Sequence, residues 1–462
     1  NIVRDAGADG DITVNGRYNI PAGGTTLTNK HASSALTFNG NNTGTGSVTY
    51  QDGNFSIKTA SANNSTFSGG TVIENATLEV DNNNNAGGLQ HPFGNGPITL
   101  GESGSSNPAN LTITLLRNGA ATSLPKTINV NAPATYDIDQ TGTFTHTGAI
   151  VLANDLTLDA GGVQSISGVI SGTGNITTQT GTTLFTNNGN SFAGDLTVTN
   201  VLQLRADNAA GDAANQIIVD GGQLRTFMLT DAQTLTLANP ITVNSGTFGG
   251  QAAGAAVDTG TFEFDGAIIL SNDGVLSFIA ESNPSNEQDL DFNLDGAISD
   301  GDNSASLQIE GGGFAGSDSV VNITGGLDID GSLILINETN LGTLTTNLNS
   351  TASNANTTIG TDTTLQGSGT LTYNIDGSTS DLIDNDGTLD ITSLTLAIVE
   401  GTTGATSPVY IIADYGDGTL TGGTFASVTG TPAGYTVDYA YESGTQIALV
   451  DGSIAGLIYW DG

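Results

Sequence analysis

The 462-residue chain contains no cysteine, which excludes disulfide bonds, zinc–thiolate sites and cysteine nucleophiles. It has only 8 lysines and arginines against 46 aspartates and glutamates, giving a formal net charge of −38. So acidic a surface repels nucleic acid and anionic membranes, and it attracts divalent cations. No apolar run approaches the roughly 18 residues of a membrane helix, so we expect neither nucleic-acid binding nor membrane insertion.

Internal repetition is the strongest positive signal in the sequence. Residues 63–80 (NNSTFSGGTVIENATLEV) and 188–204 (NGNSFAGDLTVTNVLQL) are versions of one pattern. In each, a phenylalanine precedes a turn of small residues, and short β-branched segments follow, separated by glycine or asparagine. Repetition at this scale indicates stacked units, none of which buries its apolar face alone.

The short apolar segments predict strands of only 3–5 residues. In triplets such as Leu156-Thr157-Leu158 the outer residues point to one side and the middle residue to the other. Spacings of about 20 residues recur, which is a common coil length for a solenoid. We therefore predict an all-β parallel β-helix (β-solenoid) in which Phe192, Leu196 and Val198 face the interior.

Composition divides the chain into four regions. Residues 1–280 are the longest repetitive stretch, and residues 281–304 form an acidic insertion that breaks the pattern. Residues 305–450 resume the solenoid and end in cap-like strands. Residues 451–462 are an apolar tail with the only tryptophan of the chain.

The strings GVISGTGNITTQTGTTLFTNNGNSFAGDLTV (168–198) and NNSTFSGGTVIENATLEV resemble the passenger-associated strand repeat of bacterial autotransporters and large surface proteins. Phe67, Gly69, Phe192 and Gly194 fall on the turn of that repeat. The resemblance implies a right-handed β-solenoid that a Gram-negative-type cell exports, and hence an extracellular or cell-surface location.

Residues 291–302 match a twelve-residue calcium loop position by position. Side-chain oxygens fall at positions 1, 3 and 5, a glycine at 6, a backbone carbonyl at 7, a water-mediated ligand at 9 and an acid at 12. Oxygen ligands without cysteine or histidine favour calcium. The aspartate at position 12 resembles the loop of dockerin modules. The predicted ligands are Asp291, Asn293, Asp295, Ala297, Ser299 and Asp302.

Catalysis is the weaker expectation. A polysaccharide lyase on this fold would need a basic residue on a sheet face, for which Arg205 and Arg225 are the candidates, whereas a hydrolase would need paired carboxylates in a cleft. Among 46 acids, sequence cannot select such a pair. His31, His91 and His146 show no catalytic partner pattern, so we expect no enzyme activity.

The tail supplies an expectation about assembly. Exposed strand edges promote pairing with other chains, and contacts of the head-to-tail kind extend into filaments. We expect residues 454–460 to add as a strand to another copy, through Ile454, Leu457, Ile458, Tyr459 and Trp460. The function predicted is an extracellular structural protein that forms a surface layer, matrix or filament and is stabilised by calcium. An adhesin or glycan-binding stalk on a cell surface is the first alternative, and a polysaccharide lyase or hydrolase the second.

Overall fold

The structure is a computed structural model, and it divides the chain into two compact units, Asn1–Ile217 and Ile218–Gly462. Each unit is described on its own below. The residues that the structure describes are 2–4, 12–30, 36–39, 42–58, 65–81, 92–114, 122–139, 142–252, 259–271, 274–280, 289–300, 305, 307–313, 318–323, 325, 327–329, 333–337, 343–348, 356–359, 364–367, 369–385, 388–416 and 418–454.

The described part of the first unit consists of strands and the turns between them. The strands are β1 (Ile2–Arg4), β2 (Ile12–Asn15), β3 (Asn19–Ile20), β4 (Thr25–Asn29), β5 (Leu36–Asn39), β6 (Thr43–Gly44), β7 (Val48–Lys58), β8 (Thr71–Asp81), β9 (Ile98–Leu100), β10 (Ala109–Thr114), β11 (Thr122–Leu124), β12 (Ile128–Val130), β13 (Ala134–Asp139), β14 (Thr143–His146), β15 (Ile150–Leu152), β16 (Leu156–Ala160), β17 (Val163–Ile166), β18 (Ile170–Gly172), β19 (Ile176–Thr178), β20 (Thr182–Phe185), β21 (Ser191–Phe192), β22 (Leu196–Val198) and β23 (Val201–Leu204).

The second unit has the same character. Its strands are β24 (Ile217–Met228), β25 (Gln233–Leu237), β26 (Ile241–Ala252), β27 (Thr259–Phe264), β28 (Ile268–Leu270), β29 (Gly274–Ala280), β30 (Asp289–Leu294), β31 (Ile298–Ser299), β32 (Leu307–Gly313), β33 (Asp318–Ile323), β34 (Leu327–Ile329), β35 (Leu333–Asn337), β36 (Thr343–Leu348), β37 (Asn356–Ile359), β38 (Thr364–Gly367), β39 (Gly369–Gly377), β40 (Thr379–Ser380), β41 (Leu382–Asn385), β42 (Thr388–Asp390), β43 (Leu394–Ala405), β44 (Val409–Asp414), β45 (Thr419–Thr421), β46 (Ser427–Thr429), β47 (Tyr435–Ala440) and β48 (Gln446–Asp451). A short helix, α1 (Tyr441–Gly444), and a 3-10 turn at Gly452–Ile454 complete the described chain.

Both units are parallel β-solenoids, which confirms the predicted fold class. Each coil of the first unit contributes three strands, and each strand pairs in parallel with its equivalent one coil later. The ladders β12–β15–β18–β21, β13–β16–β19–β22 and β14–β17–β20–β23 form three faces. Main-chain hydrogen bonds therefore run along the axis of each unit, from coil to coil.

Alternation of apolar and polar residues builds the interior. Equivalent apolar side chains stack on each other in register, as Ile98, Ile128, Ile150 and Ile170 do, and all four are fully buried. Each such side chain contributes about 1.5–3 kcal/mol by burial. Phe192, Leu196 and Val198 are fully buried as well, so the predicted inward positions are confirmed.

Coil length differs between the units. Register partners such as Ile150 and Ile170 lie 20 residues apart (170 − 150), as the sequence spacing predicted. In the second unit, Ile268 pairs with Ile298, which is 30 residues later (298 − 268). The 20-residue spacing is therefore wrong for this part of the chain, where longer strands such as β30 enlarge the coil.

The C-terminal end of the second unit departs from parallel pairing. Strand β48 pairs antiparallel with both β44 and β47, so it forms a cap and not a further coil. The main-chain edge of β44 that would otherwise be open is thereby covered, which is one way that proteins prevent edge-to-edge association. Strands β45 and β46 of the last coil pair, within the described residues, only with β42 and β43.

Candidate functional site

The predicted calcium residues lie in a coil of the second unit. Residues 289–294 form strand β30, which pairs in parallel with β27 on one side and β33 on the other. The prediction that residues 281–304 interrupt the solenoid is thus wrong for 289–294 and for β31 at 298–299. In a strand, Asp291 and Asp295 are about 13 Å apart, because the chain rises about 3.3 Å per residue. The wrapped conformation of a twelve-residue calcium loop is therefore not formed.

A repeat explains why the sequence looked like a calcium loop. Residues 262–268 (FEFDGAI) and 292–298 (FNLDGAI) occupy equivalent positions in adjacent coils. The Asp-Gly pair marks a corner where coils pack so closely that a Cβ on Gly296 would lie 2.0 Å from the Gly266 carbonyl oxygen. Glycine at position 6 of the motif is thus required by coil stacking, and the alternating polar residues before it face outward.

Coil stacking brings a different set of acids together. The carboxylates of Glu263, Asp265 and Asp295 lie within 4.8 Å of one another, and we call this group the corner acid cluster. Its backbone is held by coil-to-coil hydrogen bonds, such as that from the Asp295 N–H to the Phe264 carbonyl at 2.9 Å. Only Asp295 belongs also to the predicted ligand set. The signal for the other two was the repeated Asp-Gly-Ala-Ile, 30 residues apart.

Amide side chains continue from the corner acid cluster along the sheet. Asn293 donates its Nδ2 to Glu263 Oε1 at 2.9 Å, and Asn322 donates its Nδ2 to Asn293 Oδ1 at 2.7 Å. Asn293 therefore orients the Glu263 carboxylate. Burial, together with the nearby Asp289 charge, raises the pKa of Asp291.

The other predicted ligands are spread over the same coil. Ala297 is exposed, Ser299 is half-buried in β31, and Asp302 lies outside the described residues. Asp300, which the motif did not assign, is buried, and its Oδ2 accepts the Ala305 N–H at 3.1 Å.

Of the five residues expected to mediate assembly, only Ile454 falls in the described chain. It ends the 3-10 turn that follows β48. Leu457, Ile458, Tyr459 and Trp460 lie outside the described residues.

The candidate catalytic arginines bond to amides. Arg205 donates to Gln203 Oε1 at 2.8 Å, and Arg225 donates to the Oε1 atoms of Gln223 and Gln251, each at 2.8 Å. His146 is fully buried, and burial lowers its pKa to about 4, so it is a neutral core residue. His31 and His91 lie outside the described residues.

One surface of the first unit was missed at the level of sequence. A column of outward amides and hydroxyls crosses seven strands in register, one residue per strand, and we call it the polar ladder. None of its members is buried. Its members are Asn54, Thr77, Asn110, Thr135, Thr157, Thr177 and Thr197.

An acidic column runs beside the polar ladder, two residues further along each strand. Asp137 and Asp159 are register partners on β13 and β16, so their carboxylates face the same side about 4.8 Å apart. Burial, and then the charges of Asp159 and Asp139, raise the pKa of Asp137 to about 6. This face therefore combines neutral hydroxyls with closely spaced negative charge.

Comparison with protein-family models gave no match, and comparison with curated protein sequences gave none either. Within the described ranges, no helix has the length and apolar character needed to cross a membrane.

Proposed function

We propose that this protein is an extracellular structural protein of a bacterial surface, whose solenoid units assemble head to tail into a layer, matrix or filament. The observation that carries the proposal is the unbroken parallel ladder from β12 to β23, with stacked apolar side chains inside it. Such a unit resists deformation along its axis, because bending it means breaking hydrogen bonds on several faces together. Catalysis plays no part in this role.

Assembly in this proposal uses the apolar tail as an added strand. Strand addition to an open edge supplies main-chain hydrogen bonds and buries apolar side chains. Strands β1, β2 and β3 of the first unit pair, within the described residues, only with β4, β5 and β6. Their other edges are the receiving surface that we propose for the tail of a second copy.

Removing residues 455–462 should abolish polymerisation and leave the fold intact. This deletion spares Asp451, whose N–H donates to the Pro408 carbonyl at 2.9 Å within the cap. Negative-stain electron microscopy and sedimentation would compare the deletion with the full chain. Ser453→Ala, next to the deleted segment, is the matched control and should polymerise normally. Unchanged fibres from the shortened chain would show that the tail is not the connector.

We also propose that calcium stabilises the second unit at the corner acid cluster. The physical support is charge: residues 226–462 contain 30 aspartates and glutamates and no lysine or arginine. Carboxylate oxygens are the ligands that calcium prefers, at about 2.3–2.6 Å. A cation at Glu263, Asp265 and Asp295 would relieve repulsion that the protein's own side chains cannot.

Calorimetry on four variants would distinguish this position from the twelve-residue loop. Asp265→Asn should abolish calcium binding, because Asp265 belongs to the cluster alone. Asp291→Asn and Asp302→Asn should bind normally, because they belong to the loop alone. Calcium at about 100 times its Kd should stabilise the wild-type fold by about 2.7 kcal/mol. Asp438→Asn, an exposed acid of β47, is the control. Loss of binding in Asp302→Asn with normal binding in Asp265→Asn would instead support the loop.

The polar ladder favours a second candidate function, a glycan-binding stalk. Its hydroxyl and amide groups repeat about every 4.8 Å, and they both donate and accept hydrogen bonds, as sugar hydroxyls do. Asn110 already donates to Thr77 Oγ1 at 3.5 Å, so neighbouring members lie within reach of one partner.

Replacing two members of this column with a charged residue should disrupt glycan binding if the stalk function holds. Thr157→Glu/Thr177→Glu should then lower retention on insoluble bacterial or plant polysaccharides by at least about tenfold, since buried unpaired charge is costly in an interface. Thr261→Glu, in the second unit, is the control. Equal retention of wild type and the double variant would remove this candidate.

A further inference from the structure

Three polar side chains lie inside the first unit where apolar ones are the rule. Gln164 of β17, Thr178 of β19 and Thr183 of β20 are at most 1 % exposed. Neither amide atom of Gln164 has a hydrogen-bond partner in the protein, and the Oγ1 atoms of Thr178 and Thr183 have none. Buried polar groups in folded proteins almost always have partners, so a group of three needs a physical explanation.

The topology places these residues together, and we call them the interior polar cluster. Gln164 and Thr183 are register partners on adjacent parallel strands, so their Cα atoms are about 4.8 Å apart and their side chains face the same interior. Thr178 ends β19 and Thr183 lies at the start of β20, so both flank the corner at 179–181. The cluster thus occupies one inside corner of two successive coils.

Apolar residues enclose the interior polar cluster along the axis. The column that holds Gln164 and Thr183 continues with Phe144 on one side and Leu202 on the other. The column that holds Thr178 continues with Leu158 and Val198. All four flanking side chains are buried, so the polar groups are separated from solvent in both axial directions.

The chemistry of the cluster identifies what fits it. Gln164 offers both a donor and an acceptor, and each threonine hydroxyl can do either. A cation would need acceptors only, and an anion would need donors only. His146, on the strand next to Gln164, is neutral at neutral pH because burial lowers its pKa to about 4. A small neutral molecule that both donates and accepts, namely water, satisfies this set.

We infer that the first unit binds at least one ordered water molecule between Gln164, Thr178 and Thr183, as an integral part of its interior. A bound water typically makes two to four hydrogen bonds to buried polar groups, and this cluster supplies that number. The water links two successive coils whose neighbours carry phenylalanine, leucine and valine at the same positions. A one-coil slip of register would therefore place an apolar side chain against the bound water.

Crystallography and water-detected NMR on the full chain test the inference directly. We expect electron density for a water within about 3.2 Å of at least two of the three side chains. We also expect magnetisation transfer from that water to the Thr178 and Thr183 methyl groups. Direct hydrogen bonds among the three side chains, with no density between them, would overturn the inference.

Thermal unfolding gives an independent readout. Thr183→Val and Gln164→Leu should each lower the Tm, by about 1–4 °C, because each leaves the water and the remaining groups short of a partner. The triple variant Gln164→Leu/Thr178→Val/Thr183→Val should recover most of that loss. Thr177→Val, which faces outward next to Thr178, is the control and should change the Tm by less than about 1 °C. Single variants with a raised Tm would contradict a bound water.

Discussion

Gly168→Ala should cost the first unit about 3 kcal/mol or more of its free energy of unfolding. A Cβ at this corner would lie 1.6 Å from the Gly148 carbonyl oxygen and 2.4 Å from its carbonyl carbon. Both atoms belong to the backbone of the previous coil, so no side chain can move aside. The coils would have to separate locally, which breaks ladder hydrogen bonds in addition to the usual cost of overpacking, about 1–3 kcal/mol. Urea unfolding followed by circular dichroism measures the loss.

The same unit offers a matched control for this prediction. Gly142 lies at a corner where an added Cβ would meet no atom within 4 Å. Gly142→Ala should therefore be neutral or slightly stabilising, since alanine restricts the unfolded chain more than glycine does. Equal urea midpoints for the two variants would mean that coil spacing at Gly168 is not set by backbone contact.

The fold could be predicted because two simple patterns determine it. Apolar residues alternate with polar ones in segments too short for a sandwich, and glycine recurs at fixed points in the repeat. The structure gives the physical basis of the second pattern. Gly194 of the repeated Phe-Ala-Gly turn packs against the Gly174 carbonyl oxygen, to which its Cβ would come within 2.2 Å. Phe192 of the same turn fills the interior.

The calcium loop shows where reading the sequence by motif was insufficient. Alternating outward Asp291 and Asn293 followed by a corner Asp-Gly produce the spacing of a calcium loop inside an ordinary coil. A linear motif describes neighbours along the chain, whereas the corner acid cluster joins residues 30 positions apart, Asp265 and Asp295. Only the strand register shows that they meet. Comparing the two Asp-Gly-Ala-Ile segments was the available signal.

The antiparallel cap could not be predicted for a related reason. Gln446–Asp451 has the alternation and composition of a coil strand, and the local pattern does not specify whether its partner runs parallel or antiparallel. The direction is set by the connection from Ala440, which turns back through the short helix α1. Short reversals of this kind join antiparallel strands, whereas parallel strands need a longer connection.

A buried acid should make the second unit more stable at mildly acidic than at alkaline pH. Asp381 is only 4 % exposed, and its Oδ2 accepts the N–H and the Nδ2 of Asn374, both at 2.9 Å. These hydrogen bonds favour the charged form. Burial outweighs them and raises the pKa of Asp381 to about 7. No lysine or arginine occurs after residue 225 to compensate the charge.

The sign of the pH effect follows from this raised pKa. Between about pH 4 and pH 7 the folded chain holds a proton on Asp381 that the unfolded chain releases. Stability is therefore greatest near pH 4 as far as this group is concerned, and it falls as the pH rises to about 7. Three pKa units correspond to about 4 kcal/mol, which is the upper size of the effect.

Asp381→Asn should remove this pH dependence and stabilise the second unit at pH 8. Asparagine keeps an acceptor oxygen for Asn374 and carries no charge, so the variant should exceed the wild type by up to about 4 kcal/mol at pH 8 and match it near pH 4. Urea unfolding at several pH values measures the difference. Ser380→Ala removes a hydroxyl that contacts the Tyr373 hydroxyl at 2.8 Å and does not titrate, so this control should keep the wild-type slope. A wild-type slope in Asp381→Asn as well would show that other acids of this lysine- and arginine-free segment carry the pH dependence.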